Sequence, residues 1–139
     1  MKGLKLLLSL MMVFALCGCQ KKTESKGVET VTLTVTIVDE TTNTELYSGT
    51  LSASGSELTL EDVLLANEDE IKLVSERSSH GMQIIGLMGI ETSNWNAGPW
   101  WLYDSINNES CLAAGYCDGA SKLNVADGDE FTFTFSFGY

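Results

Sequence analysis

Val31-Thr32-Leu33-Thr34-Val35-Thr36-Ile37 and Phe131-Thr132-Phe133-Thr134-Phe135-Ser136-Phe137 alternate apolar and polar side chains without a fault. Successive side chains of a strand point to opposite faces, so this period of two predicts a half-buried β-strand at each end of the chain. One strand offers the core an aliphatic face, the other a Phe face. Between them the pattern changes. Residues 39–45 read as a polar turn, after which 46–53 form a weaker strand pairing back as a hairpin. At Leu58 the period lengthens: Thr59 is placed to cap a helix, Asp62 stands three residues on as its capping-box partner, and Leu58 and Val63 occupy the staple positions. The spacing predicts a short helix over 60–67 with Leu60, Val63 and Leu64 turned inward. Glu68, Asp69 and Glu70 crowd its C-terminal end, where the dipole disfavours negative charge, so the helix stops early.

Residues 82–91 and 100–106 are two further strand candidates, separated by a polar turn over 92–99, and Asp127-Gly128 supplies the tight turn into the last strand. This order predicts an α+β fold, a β-grasp-like mixed sheet in which the terminal strands lie side by side and one short helix crosses the sheet.

The chain has 139 residues, 44% of them hydrophobic, which supports one core and one domain. From residue 28 onward, Lys72, Arg77 and Lys122 face 18 acidic side chains, a balance of −15. A surface so charged repels phosphate backbones, which argues against nucleic acid as a partner.

The other five basic residues cluster in the first 26 positions. Lys2 and Lys5 precede an apolar run over 6–16, about the length of a signal peptide and too short for a permanent bilayer-spanning helix. Leu16-Cys17-Gly18-Cys19 then resembles the bacterial lipoprotein signal, with Cys17 where Ala or Ser is usual. That resemblance implies cleavage after Gly18 and lipidation of Cys19. The expected organisation is a lipoprotein signal peptide over 1–18, lipidated Cys19 and a flexible Lys-rich tether over 19–27, and the folded domain over 28–139. The expected location is the extracytoplasmic face of a bacterial cell membrane, reached by export and held by the lipid anchor.

The strand over 31–37, the helix over 58–66, Ser79-His80-Gly81-Met82 with Ile84-Ile85-Gly86, Gly98-Pro99-Trp100-Trp101-Leu102-Tyr103, and Val125-Ala126-Asp127-Gly128-Asp129-Glu130-Phe131 together resemble the transcobalamin-like C-terminal domain family. This family of exported bacterial domains is similar to the small β-domain of the animal cobalamin carriers, intrinsic factor and transcobalamin, where it caps one face of the corrin beside a large helical domain. The resemblance covers the whole of residues 28–139. It implies that a corrinoid such as cobalamin is the candidate ligand, that no cofactor is required, and that the chain captures the ligand for delivery to an importer. His80, Gly81 and Met82 match the segment that approaches the corrin, and Trp100, Trp101 and Tyr103 are the accompanying aromatic residues. The alternative is a structural or adhesive cell-surface module that binds a protein or a cell-wall polymer.

Each candidate has a plainer reading. In a strand Trp100 points one way, and Trp101 and Tyr103 are expected not to share a face, so one ring packs in the core while another is left exposed or in a groove as a platform for a flat ligand. His80 is the only histidine; a neutral imidazole can ligate cobalt, or the residue is an unremarkable surface side chain. Cys111 and Cys117 enclose five residues, and in an exported chain the expectation is a local disulfide that pins a loop; as metal ligands, two thiols and a distant histidine make a thin set. Asp104, Asp118, Asp127, Asp129 and Glu130 read as turn and surface residues. No Asp-x-Asp-x-Asp-Gly loop, Gly-x-Ser-x-Gly elbow or His-Glu-x-x-His helix occurs, so neither a catalytic residue nor a metal site is expected, and the chain does not read as an enzyme.

Overall fold

The computed structural model describes residues 27–138. The expected signal peptide, Cys19 and nearly all of the tether lie outside the described residues. Seven strands and two short helices follow in the order β1 (Glu29–Asp39), β2 (Thr44–Gly55), α1 (Leu60–Ala66), β3 (Val74–Ser78), β4 (Gly81–Leu87), β5 (Ile90–Glu91), β6 (Trp100–Ser105), α2 (Glu109–Ala114) and β7 (Glu130–Ser136).

The two alternating segments become neighbours. β1 and β7 pair in parallel from Thr34–Glu130 to Asp39–Phe135, β2 flanks β1 antiparallel, and β6 flanks β7 antiparallel. The result is a four-stranded mixed sheet in the order β2-β1-β7-β6. Val31, Leu33, Val35 and Ile37 of β1 share its inner face with Phe131, Phe133 and Phe135 of β7, all of them buried. The opposite face holds the polar half of each alternation: Thr30, Thr32, Thr34 and Thr36 stand against Ser54, Ser52, Thr50 and Ser48 of β2, with Thr132 and Thr134 of β7 continuing the array. Two rungs are closed by hydroxyl pairs, Thr30–Ser54 at 2.9 Å and Thr32–Ser52 at 2.8 Å.

Helix α1 begins where the sequence indicates. The Asp62 N–H donates to Thr59 Oγ1 at 3.3 Å while the Thr59 N–H donates back to Asp62 Oδ2 at 2.8 Å, so the capping box closes with the shorter aspartate arm. Leu60, Val63 and Leu64 are buried, and the helix ends at Ala66 before the acidic triplet.

Three features depart from the sequence expectation. The stretch over 82–91 is two strands, β4 and β5, divided at Met88 and Gly89, which both adopt positive φ. Strand β3 was not foreseen, because all five of its residues are exposed and no alternation marks it. The single expected helix has a second companion: α2 occupies what reads in sequence as a loop, started by Asn108 Oδ1 accepting the Cys111 N–H at 3.0 Å and stopped at Gly115 in the left-handed conformation. Strands β3, β4 and β5 form a second, antiparallel sheet. Its residues Met82, Ile84 and Leu87 enter the same core as Phe133 and Val35, so the two sheets and α1 share one interior.

Candidate functional site

His80 and Gly81 lie at the turn between β3 and β4. Ser78 Oγ accepts the His80 N–H at 3.1 Å, which tightens the turn, and the imidazole is exposed. Gly81 has φ +101°, and a Cβ there would meet Ser121 Oγ at 2.6 Å, so glycine is required on both counts. The next N–H, that of Met82, donates to Ser121 Oγ at 2.9 Å, while the Met82 side chain is buried in the core. The hairpin tip is thus an exposed histidine on a base held by the 118–121 segment. From the other side, Tyr103 Oη donates to the Asp118 carbonyl at 2.7 Å. Tyr103 and the hairpin base are therefore joined through that segment rather than separated by an open groove.

The aromatic strand is divided between two faces. Trp101 and Tyr103 do share a face, contrary to the sequence expectation, because residues two apart in a strand must do so. That face is the inner one: Trp101 is 6% exposed, lies 5.0 Å from the Phe135 ring, and donates from Nε1 to the Ile90 carbonyl at 2.8 Å. The Tyr103 ring lies 5.6 Å from that of Phe133. Trp100 turns to the outer face, half-buried, with Nε1 donating to the Trp95 carbonyl at 2.9 Å. Its ring passes so close to Gly98 that a Cβ there would meet it at 2.8 Å. Ile90 pairs with Leu87, the last residue of β4, whereas His80 precedes its first. Six strand steps separate those ends, about 20 Å. The structure therefore brings His80, Gly81, Met82 and Tyr103 to one region and leaves Trp100 and Trp101 at another.

Cys111 and Cys117 are bonded to each other, with Cα atoms 4.4 Å apart. Their loop follows a polar latch that the sequence reading missed. Asn108, buried, donates to Asp129 Oδ2 at 2.7 Å and to the Asn124 carbonyl at 3.0 Å. Asn107 Oδ1 accepts the Glu130 N–H at 2.8 Å, and Asp127 Oδ1 accepts the Thr32 N–H at 2.9 Å. The Asn-Asn pair after β6 and the Asp-Gly-Asp turn before β7 are thus one interlocked unit, and the aspartates act in folding. Among the described residues no group of three His, Cys, Asp or Glu side chains is arranged to hold a metal ion.

A concavity of about 310 Å³ lies on the outer face of the four-stranded sheet along β6 and β7, lined among others by Glu40, Leu102, Asp104, Ile106, Thr132 and Thr134. Apart from Tyr103, none of its lining residues was a candidate ligand-binding residue. Its only sequence signal was the polar half of the β7 alternation.

No family model and no curated protein matches the chain. Solved structures do. A protein from Ruminococcus gnavus, whose suggested role is metal binding, matches with TM-score 0.55 and 22% identity over 78% of this chain and 99% of its own. Haptocorrin in complex with Cbi matches with TM-score 0.59 and 15% identity over 80% of this chain; the chain spans 26% of haptocorrin's length. The protein has a transcobalamin-like fold.

Proposed function

We propose that this chain is an exported, lipid-anchored member of the transcobalamin-like C-terminal domain family that binds a corrinoid and passes it to an importer, with no catalytic role and no resident cofactor. The observation that carries this reading is the fold shared with haptocorrin in a Cbi complex. The hairpin tip of the expected site is accessible: His80 is exposed, Gly81 lets the backbone come close, and Ser121 braces the base. Trp101 is committed to the core and offers no platform. The acidic surface is compatible with cobalamin, which is neutral or cationic according to its upper ligand.

One domain covers one face of such a disc, so the affinity falls below that of a two-domain carrier unless a second chain closes over the ligand. Absorbance and calorimetric titration of the purified protein with aquocobalamin and cobinamide tests the reading. Binding is expected, and it should weaken in a His80→Ala variant. Where the imidazole ligates cobalt, the aquocobalamin spectrum shifts in the parent and not in the variant; binding without that shift assigns His80 a contact role. No heat and no spectral change at about 1 mM ligand would overturn the proposal in favour of a structural or adhesive surface module.

A further inference from the structure

We propose that the groove on the outer face of the four-stranded sheet binds a neutral carbohydrate chain. The inference goes beyond the corrinoid reading: the groove lies along β6 and β7 and shares no residue with the hairpin tip, although Tyr103, a candidate of the corrinoid site, also lines it.

The chemistry of the groove is mixed in the way a sugar requires. Thr132 and Thr134 of β7 offer hydroxyls, Leu102 of β6 and Ile106 just after it offer apolar surface, and the carboxylates of Glu40 and Asp104 stand at the rim. A pyranose has hydroxyls around its edge and C–H groups on its faces, so it needs convergent polar groups beside a flat apolar patch. The polar groups are also unspent. Asp104 Oδ1 accepts the Ser105 N–H at 2.8 Å, leaving Oδ2 open. Among the described residues the Glu40 carboxylate and the hydroxyls of Thr132 and Thr134 have no protein hydrogen-bond partner. One register step beyond Leu102 along the same face lies the half-buried Trp100, opposite Ser136, and its indole supplies a stacking surface at the end of the groove.

Charge selects the class of ligand. Among the described residues Lys72, Arg77 and Lys122 all lie outside the four-stranded sheet and none lines the groove, so the groove carries carboxylates without a cation and disfavours anionic polymers. Both carboxylates are exposed and stand among hydroxyls, which suits acceptance of sugar O–H groups better than desolvation around an amine. Beyond the groove the Thr and Ser rows of β1 and β2 continue the same face, while α1 and the second sheet contribute to the core on its other side. A linear chain can therefore lie across the strands and extend past the groove.

The test uses calorimetry and amide NMR on the folded protein with three neutral hexasaccharides: a β-1,4-glucan, an α-1,4-glucan and a β-1,4-linked N-acetylglucosamine oligomer. Oligogalacturonate and spermine serve as charged counterparts. At least one neutral hexasaccharide should bind, shift the amides of 102–106 and 132–136, and change the tryptophan fluorescence. Thr134→Arg, which fills the groove, and Asp104→Ala, which removes the open acceptor, should each weaken binding by about tenfold or more while the thermal midpoint and any cobinamide titration stay unchanged. Binding that survives both variants would overturn the assignment, as would tighter binding of either charged probe or the absence of neutral-sugar binding at about 10 mM.

Discussion

The four-stranded sheet and the three-stranded sheet enter the same core, yet they are specified in different ways. In the first, β1 and β7 each alternate strictly, so every second side chain is committed to the interior before any partner is chosen. In the second, β3 has five exposed residues and β4 is buried at five of seven positions, and neither shows a period of two. The large sheet is specified by its own pattern, whereas the small one is specified by what it packs against. Met82 and Ile84 are held inward by the core, and β3 adheres to β4 through backbone pairing and the Arg77–Glu61 ion pair to α1. A strand buried on one side and wet on the other advertises itself; one covered on both faces, or on neither, does not.

The largest expected effect is a test of whether the shared core makes the two sheets one cooperative unit. Phe133 is fully buried between Tyr103 and Phe131, and Phe133→Ala should cost about 3–5 kcal/mol. Leu87, fully buried at the end of β4, should cost about 2–5 kcal/mol when replaced by Ala. In both variants circular dichroism and tryptophan fluorescence should follow one coincident unfolding transition. Two separated transitions for Leu87→Ala would break the single-core account and make the small sheet an independently melting unit.

Next in size are the ties around α2, which belongs to neither sheet. Removing the Cys111–Cys117 bond as a double Ser variant should cost about 2 kcal/mol in the chain-entropy account, since the loop is short. Asn108→Ala removes the amide donor to the Asn124 carbonyl and to the Asp129 carboxylate, which keeps only the Ala126 N–H, at about 1–3 kcal/mol. Urea denaturation reads both. An Asn108→Ala loss below about 0.5 kcal/mol would mean water replaces the amide, and the latch would lose its structural role.

How much was legible follows the same division. The terminal strands, their adjacency and the capped helix were readable because their signals are local: a period of two, and a Thr-x-x-Asp cap. The disulfide followed from spacing in a chain whose sequence carries an expected export signal. Strand β3 was invisible because nothing in Val74–Ser78 distinguishes an exposed strand from a loop. Helix α2 was missed because Asn108 caps it from within a run that reads as turn. At the candidate site, the hairpin tip was singled out by family resemblance alone. That Trp101 faces the core and Trp100 the surface depends on register against Phe135 and Ser136, which a single strand's sequence does not contain. The outer groove was hidden for the opposite reason, since threonine on a strand's outer face is what a solvated sheet also uses.

A smaller effect probes the exposed strand directly. Substituting Ser75 or Glu76 of β3 by Thr should change stability by no more than about 0.5 kcal/mol, because neither side chain is buried. Hydrogen exchange should nevertheless protect the amides of β3 that pair with β4 less than those of β1. Equal protection in the two strands would show that backbone pairing alone anchors β3 as firmly as a buried face anchors β1.

The smallest effect sits on the seam between the regions. Tyr47 of β2, at the edge of the large sheet, donates from its hydroxyl to Glu70 Oε1 at 2.8 Å, in the connection that leads from α1 to the small sheet. Its hydroxyl is held above the usual phenol range, first by desolvation, then by the hydrogen bond to Glu70 and the negative charge of that carboxylate. A raised folded pKa means the neutral phenol is favoured in the native state. Its contribution is fully present below about pH 10, the unfolded value, and is lost as pH rises through the higher folded value. Thermal melts between about pH 8 and about pH 12 should therefore fall more steeply for the parent than for Tyr47→Phe, with the curves diverging only above about pH 10. High salt should shrink the difference, because the group is partly exposed and screened. Parallel curves would mean that the Tyr47–Glu70 pair does not couple the edge of the large sheet to the segment entering the small one, and the seam would then be held by the core beneath it.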